Sequence, residues 1–409
     1  MVLAARVPRA FLTLWLVTFL GYLSFQLLTA SLPLYAVTLG ADDAALGLLA
    51  GVIALISLLS RPWVGWWLDR GDARWGMAVA GGIYALSALG FLSSRSVVAL
   101  VGFRAFTGLG IALSATTSLV LTIALAPEHR RGEALSLLSL ANSIGQGVGP
   151  ATGIAIAERA GYPGLFATCA VLGAVAGGLA LNLRSGSSVQ ASRPRDRRVI
   201  HSGVLAPGLI LAPLSLCFGV AFGLLAVHAS RRGLANPGLA FVTVAGGQIL
   251  AQTLLRHVSD QIGRRATITP GLVLVAAGMG IMARAAGFWL LVGGLLFGIG
   301  LGIGVPTMYA LVSDLVTSDE RGRAMGTLGL FHEMGIGTGA IGGGAIGQLF
   351  GLETTFALAG SVALTAAVVQ WWALPPPSRP PQPDQSPTRD QERAMRGQQQ
   401  PGDPPQTGI

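Results

Sequence analysis

The sequence RGEALSLLSLANSIGQGVGPATG at positions 131–153 returns in outline as RGRAMGTLGLFHEMGIGTGAIGG at positions 321–343. One offset of 190 relates the two stretches and extends upstream into the preceding apolar segment. The residues related by this offset are Gly108, Gly110, Arg131, Gly132, Ala134, Gly145, Gly147, Gly149 and Gly153, matched to Gly298, Gly300, Arg321, Gly322, Ala324, Gly335, Gly337, Gly339 and Gly343. A constant offset through two consecutive segments and their loop favours duplication over chance similarity of glycine-rich helices. We therefore expect two related halves with a substrate site near the midplane between them.

The composition places the chain in a membrane. Of its 409 residues 52% are hydrophobic and 11% charged, and the mean hydropathy is +0.63. Soluble domains carry about a quarter of charged residues. Apolar segments near the ~20 residues that cross a bilayer recur along the chain. We predict an all-α protein with twelve transmembrane helices in two pseudo-symmetric six-helix bundles. The predicted spans are 11–34, 45–68, 75–93, 97–124, 134–157, 162–183, 205–228, 236–257, 266–283, 288–315, 324–348 and 352–374.

Arginine divides the predicted loops into two faces. The Arg-rich face carries Arg6, Arg9, Arg70, Arg74, Arg130, Arg131, Arg184, Arg193, Arg195, Arg197, Arg198, Arg256, Arg264, Arg265, Arg321 and Arg323. The opposite face carries Arg95, Arg159, Arg231, Arg232 and Arg284. The positive-inside rule predicts that both termini lie in the cytoplasm. All 27 basic residues are Arg, a bias that indicates a GC-rich bacterial genome, so we expect the chain in a bacterial inner membrane. A net charge of +9 in such loops indicates contact with anionic lipid rather than nucleic acid.

The longest polar connection inside the chain divides it into domains. We predict a first bundle over 1–183, a cytoplasmic linker over 184–204 and a second bundle over 205–374. The Pro- and Gln-rich tail over 375–409 is expected to be disordered. The two cysteines, Cys169 and Cys217, lie in apolar spans, so no disulfide, metal site or cofactor is predicted.

Two loops carry an acidic residue followed by a basic turn. They read GWWLDRGDAR at 65–74 and RHVSDQIGRR at 256–265. Both resemble the loop motif of the major facilitator superfamily, although Asp72 and Arg256 each stand where that motif has glycine, Trp75 replaces its final basic residue and Gln261 follows the second Asp. The resemblance implies a cytoplasmic latch formed by Gly65, Asp69, Arg70, Arg74, Asp260, Gly263, Arg264 and Arg265. The alternative is that these charges only fix topology.

The fourth and fifth spans carry two further family-like patterns. Arg104-Ala105-Phe106-Thr107-Gly108-Leu109-Gly110 is similar to the intramembrane Arg-x-x-x-Gly-x-Gly pattern of the same superfamily. The fifth span places Gly145, Gly149, Pro150 and Gly153 as Gly-x-x-x-Gly-Pro-x-x-Gly, which resembles the antiporter motif, with Ile154 in place of its last Gly. This resemblance implies export. Close helix packing is the alternative role for glycines spaced by four.

Charged residues within the predicted spans indicate where protons are coupled to transport. Glu333 lies ten residues past Arg323, about 15 Å into a layer of about 30 Å. Arg61 reaches a similar depth, and the second and eleventh spans are neighbours in the family that the chain resembles. We therefore expect an Arg61–Glu333 pair that forms when the cytoplasmic side is closed and separates when it opens, and a permanent structural ion pair is the alternative. His332 points about 100° away from Glu333 around the helix, so the two are expected to have different partners.

Other polar residues inside the spans are candidates for lining a substrate cavity. They are Gln26, Thr29, Asn142, Gln248, Gln252 and Thr307. Each has an interhelical hydrogen bond as its alternative role.

These patterns predict proton-coupled export of a small organic molecule, such as a drug, sugar or metabolite, by a monomer. A proton-coupled importer is the first alternative, distinguished by the direction of flux. A transport-inactive scaffold or sensor is a second, but it would need no intramembrane charges such as Arg61, Arg104, His332 and Glu333. An enzyme is not expected, because the sequence has no phosphate loop, metal-ligand cluster or nucleophile elbow.

Overall fold

A computed structural model describes residues 9–68, 72–126, 130–183, 200–254, 262–317 and 320–374. In these ranges the regular secondary structure is helical throughout. The α-helices are α1 Arg9–Thr38, α2 Asp43–Leu68, α3 Ala73–Ser93, α4 Val97–Leu125, α5 Arg131–Ala180, α6 Leu205–Arg231, α7 Gly238–Leu254, α8 Arg264–Arg284, α9 Phe288–Leu315, α10 Arg321–Phe350 and α11 Leu352–Ala373. A short 3₁₀-helix, Ser202–Val204, precedes α6.

Helix α5 contains two of the predicted spans. It runs for 50 residues but breaks at Gly161, where φ is 68° and ψ is 172°. Glycine adopts this positive φ without steric cost, so the chain can reverse between the predicted spans 134–157 and 162–183. Among the described residues, nine helices are long and apolar enough to cross a membrane. Helix α7, with 17 residues, and the glycine-rich α10 are not among these nine.

The repeated glycines pack the same way in both halves. Gly149 on α5 lies against α1, where an added Cβ would stand 2.6 Å from the Cβ of Gln26. Gly339 on α10 lies against Leu216 of α6, where an added Cβ would overlap the backbone. The two contacts are related by the offset of 190 found in the sequence. The internal repeat is therefore a repeat of packing as well as of residues.

The predicted loop faces correspond to two ends of the helix bundle. At the Arg-rich face, Arg264 at the start of α8 contacts Asp314 at the end of α9, with 2.9 Å between Nε and Oδ2. At the opposite face, the hydroxyl of Tyr35 donates to the carbonyl of Ser94 at 3.2 Å, and Arg232 donates to the carbonyl of Arg284 at 3.1 Å. Successive helices therefore run in alternating directions between the two faces.

The two most extensive helix contacts between the halves involve α2, α5, α7 and α10. Helix α2 crosses α10, and α5 meets α7. Near the opposite face the α2–α10 crossing brings backbones together, since a Cβ on Gly344 would lie 2.7 Å from the Cα of Gly47. The α5–α7 contact is equally close there, where Gly238 faces the backbone of Ala151. The interface between the halves is therefore tight at the opposite face.

Parts of the predicted domain map lie outside the described residues. The longest of these parts are residues 184–199 of the linker and the tail 375–409. The described end of the linker packs at the start of α10: the backbone N–H of His201 donates to the hydroxyl of Thr327 at 3.0 Å, and its ring lies 3.6 Å from Glu320. Helix α6 begins at Leu205.

Candidate functional site

A cavity of about 900 Å³ lies between the halves. Its walls are formed by α5, α7, α8 and α9. Leu135, Thr253 and Arg264, which line one end, belong to helix ends at the Arg-rich face. The cavity therefore reaches that face, while the interface is closed at the other.

A smaller pocket of about 240 Å³ joins this cavity to α1, α6 and α10. Both share Gln146, Gln248, Gln252 and Pro306. The pocket adds two aromatic rings, a hydroxyl and an imidazole from Tyr22, Phe218, Ser215 and His332. Together they form one polar volume reaching from the Arg-rich face to α10.

Four predicted cavity residues line this volume: Asn142, Gln248, Gln252 and Thr307. Three polar neighbours on α5 that also line the cavity were not predicted, namely Ser139, Ser143 and Gln146. A signal for them was present, because positions 139, 142, 143 and 146 follow the spacing of one helix face.

The expectation that Gln26 and Thr29 line the cavity is wrong for this conformation. Both side chains are buried, and the hydroxyl of Thr29 donates to Oε1 of Gln26 at 3.0 Å. The close approach of Gly149 turns this part of α1 into a helix contact. Among the lining residues described for the two pockets, neither appears.

Arg61 and Glu333 form an ion pair between α2 and α10, and thus between the halves. Nη2 of Arg61 lies 2.5 Å from Oε1 of Glu333, with 43% of the Arg61 side chain and 15% of the Glu333 side chain exposed. The pairing was predicted, but the structure does not show the expected separation on opening: the pair is formed while the cavity reaches the Arg-rich face. The pair sits on the α2–α10 wall, whereas the cavity follows α5, α7 and α9, so opening here does not require separation.

His332 has a different partner from its neighbour Glu333. Its Nδ1 lies 2.7 Å from the hydroxyl oxygen of Ser215 on α6. The 100° between successive helix positions thus directs His332 toward its own half and Glu333 toward the other half.

Arg104 is enclosed within the first half. Only 5% of it is exposed, and its guanidinium carbon lies 5.0 Å from the ring centroid of Phe25 on α1. In the described part of the chain, its Nε and Nη1 have no hydrogen-bond partner. An aromatic face attracts a guanidinium, so Phe25 offsets part of the cost of burying this charge. Arg104 is not among the described residues that line the two pockets.

The first loop motif is described only in part, because Asp69 and Arg70 lie outside the described residues. A Cβ on Gly65 would meet nothing within 4 Å. Arg74 pairs with Asp72 at 2.8 Å. Asp72, at the position where the family motif has glycine, caps the start of α3 by accepting from the backbone N–H of Arg74 at 2.9 Å.

The second loop motif is also partly described, with Asp260 outside the described residues. Gly263 has a φ of 90° and precedes α8. Arg264 forms its pair with Asp314, and the guanidinium of Arg265 lies 4.6 Å from the ring centroid of Trp371. These contacts stay within the second half.

The glycines of the antiporter-like motif pack against α1. Gly145 lies against Tyr22, Gly149 against Gln26 and Gly153 against the backbone of Leu27. Pro150 lies inside α5 between them. In this structure the motif therefore forms a helix contact.

A second ion pair between the halves lies at the opposite face. Nη1 of Arg231 donates a hydrogen bond to Oδ2 of Asp43 at 2.9 Å, and Nη2 lies 2.7 Å from Oδ1 in an ion-pair contact. Oε1 of Gln348 accepts from the backbone N–H of Asp43 at 3.1 Å. No sequence pattern predicted that these two residues pair, although Asp43 and Arg231 both stand at span ends on one face.

A family model for the Major Facilitator Superfamily matches residues 14–236 and 233–401. The chain belongs to this superfamily. Major facilitator transporters bind small-molecule substrates in membranes, so the chain is a multi-pass membrane transporter. The prediction of a twelve-helix fold in two related halves is confirmed.

Relatives of this major facilitator protein include a multidrug resistance protein and an export protein. The multidrug resistance protein MdtG of Serratia proteamaculans is 27% identical over 395 residues, covering 88% of this chain and 92% of that protein. The staphylopine export protein of Staphylococcus aureus is 21% identical over 399 residues, covering 90% of this chain and 96% of that protein. The fold matches a bacterial homologue of the human lysosomal transporter Spinster, solved in an inward-facing and occupied conformation. That match has a TM-score of 0.76 and 16% identity, covering 89% of this chain and 96% of that one.

Proposed function

We propose that this protein is a proton-coupled exporter of a small organic molecule in the bacterial inner membrane. The observation that carries the proposal is the Arg61–Glu333 pair, which joins the halves beside a polar cavity. A carboxylate within a membrane is a group that can gain and lose a proton as its surroundings change. The names of MdtG and the staphylopine exporter, and the antiporter-like glycines of α5, support export over import.

The arginine asymmetry supports a cytoplasmic Arg-rich face with both termini on that side. In that orientation the cavity opens to the cytoplasm and the Asp43–Arg231 pair closes the periplasmic end. An inward-facing state of this kind would admit substrate from the cell. The halves 1–183 and 205–374, joined by the linker 184–204, would then move relative to each other to expose the cavity on the other side.

The formed ion pair sets the order of the proton cycle. Facing the cytoplasm, Glu333 is ionised and held by Arg61. When the protein opens to the periplasm, the pair separates and the Glu333 carboxylate accepts a proton from that side. On return, Arg61 approaches again, the O–H bond breaks, and the proton leaves to the cytoplasm. One proton thus enters the cell for each outward passage of substrate.

The loop motifs act in the outward-open state in this proposal. Asp69 and Asp260 would close the cytoplasmic end by accepting from the neighbouring half, helped by Arg70, Arg74, Arg264 and Arg265. A carboxylate near a helix amino terminus contributes ~0.3 to 1 kcal/mol, which is enough to bias two states of similar energy.

Everted vesicles from overproducing cells test this proposal. They are given a mixture of small metabolites and antibiotics, and accumulation driven by an inward-acid pH gradient is measured by mass spectrometry. We expect at least one compound to accumulate at least tenfold above vesicles without the protein. Glu333→Gln should abolish this gradient-driven accumulation yet keep downhill exchange of the same compound, because the variant cannot release a proton.

Glu353→Gln is the matched control, since it removes a carboxylate paired with Arg232 within the second half. It should accumulate the compound like wild type. Undiminished gradient-driven accumulation in Glu333→Gln would reject the coupling role. Accumulation in right-side-out vesicles under an outside-acid gradient, with none in everted vesicles, would establish an importer instead.

A further inference from the structure

The cavity walls carry two matched pairs of amide side chains. Asn142 and Gln146 stand four residues apart on α5, and Gln248 and Gln252 stand four residues apart on α7. Side chains four apart share one helix face. The first pair belongs to the first half and the second pair to the second half, so each half presents two amides to the same space.

These four amides differ from the other glutamines of the helices. Gln26 accepts from Thr29, Gln348 from the backbone of Asp43, and Gln370 donates to Thr269 at 2.6 Å. Within the described residues, the cavity amides have no protein hydrogen-bond partner. Each offers two donors and one acceptor oxygen. The cavity therefore contains hydrogen-bond donors and acceptors that a ligand could use.

The described cavity lining offers no unpaired charge to a ligand. Arg264 is the one permanently charged side chain among the described lining residues, and it is paired with Asp314. No carboxylate is among them. Glu333 beside the cavity is held by Arg61. A charged ligand would leave water without gaining a counter-charge, whereas an uncharged polar ligand would exchange its water for the amides.

The inner end of the cavity adds apolar surface. Phe218 stacks on Phe222 with ring centroids 4.0 Å apart, which fixes its orientation. Phe218 and Tyr22 line the small pocket together with Leu214, Leu301 and Val305. Ring faces of this kind pack against flat apolar parts of a ligand.

We propose that the cavity selects an uncharged molecule that carries several hydroxyl or amide groups and one apolar face, held between Gln146 of the first half and Gln248 of the second. Nucleosides and aryl glycosides have this chemistry. The inference rests on the proposed function, because it takes the cavity as the transport site. It departs from that function in excluding organic cations and carboxylates as preferred substrates.

Binding to the purified protein in lipid nanodiscs tests the selection without requiring transport. The probes are three sets of similar size: uridine and phenyl β-glucoside, tetraphenylphosphonium and ethidium, and salicylate and benzoate. We expect a saturable rise in Tm with an uncharged probe and none with the charged ones. Gln248→Leu should weaken that binding by about tenfold, the effect of one lost hydrogen bond.

Two variants sharpen the test. Asn182→Leu removes an exposed amide outside the cavity and should bind the uncharged probe like wild type. Gln248→Glu keeps the shape but adds a carboxylate, so it should gain saturable binding of tetraphenylphosphonium. Stabilisation of the wild type by a cation or carboxylate rather than an uncharged probe would overturn the inference, as would the absence of stabilisation by all six probes.

This design separates the inference from the proposed function. If uncharged probes bind but the pH gradient drives no flux in vesicles, the proposed coupling fails and the selection stands. If gradient-driven flux carries cations alone, the coupling stands and the selection fails.

Discussion

The contact between the halves is built differently at its two ends. At the opposite face, α2 and α10 meet backbone to backbone at Gly47 and Gly344, and Arg231 clamps Asp43 with a hydrogen bond and an ion-pair contact. Towards the Arg-rich face, α5 and α7 stand apart around the cavity, and the Arg61–Glu333 pair spans the halves. The opposite face therefore combines a contact of bare glycine backbones with a charged clamp, whereas the end with the cavity is joined by a pair of long charged side chains.

The two constructions respond differently to displacement. Contact between backbones is lost or becomes a collision within a fraction of an ångström, because packed interiors have little free space. A pair of long side chains can follow a moving helix by changing rotamers. The contact of Gly47 with Gly344, called the glycine stop below, is therefore either formed or lost. The Arg61–Glu333 pair at the end with the cavity can stay formed over a range of helix positions.

The largest effect should come from adding one methyl group at the stop. Gly344→Ala would place a Cβ 2.6 Å from the carbonyl oxygen of Asp43 and 2.7 Å from the Cα of Gly47. Overpacking of this kind costs ~1 to 3 kcal/mol, so we expect the closed end to open and the population of the conformation described here to fall by about five- to a hundredfold. The readout is labelling of Ala50→Cys by an impermeant maleimide added on the side of the opposite face, with low background because Cys169 and Cys217 are buried.

Gly342→Ala is the control on the same helix, since its Cβ would meet nothing within 4 Å. It should label like the parent. Equal labelling of the two alanine variants would show that the glycine contact does not hold the end closed.

A smaller effect should follow loss of the clamp charge. Asp43→Asn keeps the size of the side chain but removes its charge, while 49% of the Arg231 side chain is exposed to screening. We expect the same cysteine to label about three- to tenfold faster, with a smaller difference in 1 M salt. Glu353→Gln, which breaks a pair inside one half, should leave labelling unchanged. Equal rates in the two variants would mean that the clamp adds nothing to the glycine stop.

The smallest effect concerns the linker end at the Arg-rich face. A hydrogen bond from the Thr317 hydroxyl, with His201 and Arg323 nearby, lowers the pKa of Glu320 below its ordinary value. A carboxyl with a lowered pKa stabilises the folded state above its ordinary pKa of about 4.3, and this stabilisation is lost as pH falls through the folded pKa. We expect Glu320→Gln to raise hydrogen exchange slightly in residues 200–204 at pH 7.

This difference between Glu320→Gln and wild type should shrink as pH falls below about 4, because the wild-type carboxyl is then protonated as well. Thr317→Val, which removes the hydrogen bond and keeps the charge, should have an intermediate effect at pH 7. A difference that is constant from pH 7 to pH 3 would assign it to packing rather than to charge.

The sequence predicted those features that depend on position along a helix. The offset of 190 predicted two related halves, and in the structure Gly149 and Gly339 meet equivalent positions on α1 and α6. The depth of Arg61 and Glu333 followed from the fixed helical rise, and the family resemblance supplied the neighbouring helices. The separate partners of His332 and Glu333 followed from the rotation per residue.

Features that depend on how helices rotate against one another were not predictable in this way. Gln26 and Asn142 are both polar residues within apolar spans, yet Gln26 lies in a helix contact and Asn142 faces the cavity. The close approach of Gly149 fixes that rotation of α1, and periodicity alone does not specify it. The Asp43–Arg231 clamp requires two helix ends from different halves to meet, which no local pattern encodes.

The glycine contacts inside each half limit how the protein can move. Gly145, Gly149 and Gly153 hold α1, as Gly335, Gly339 and Gly343 hold α6. A shift of either pair by one helical turn, about 5.4 Å, would bring larger side chains into those narrow contacts. Sliding of helices past one another, the shear type of domain motion, is thereby disfavoured within a half. Hinge motion of whole halves, with each cavity wall carried as a rigid piece, remains the mechanically open route.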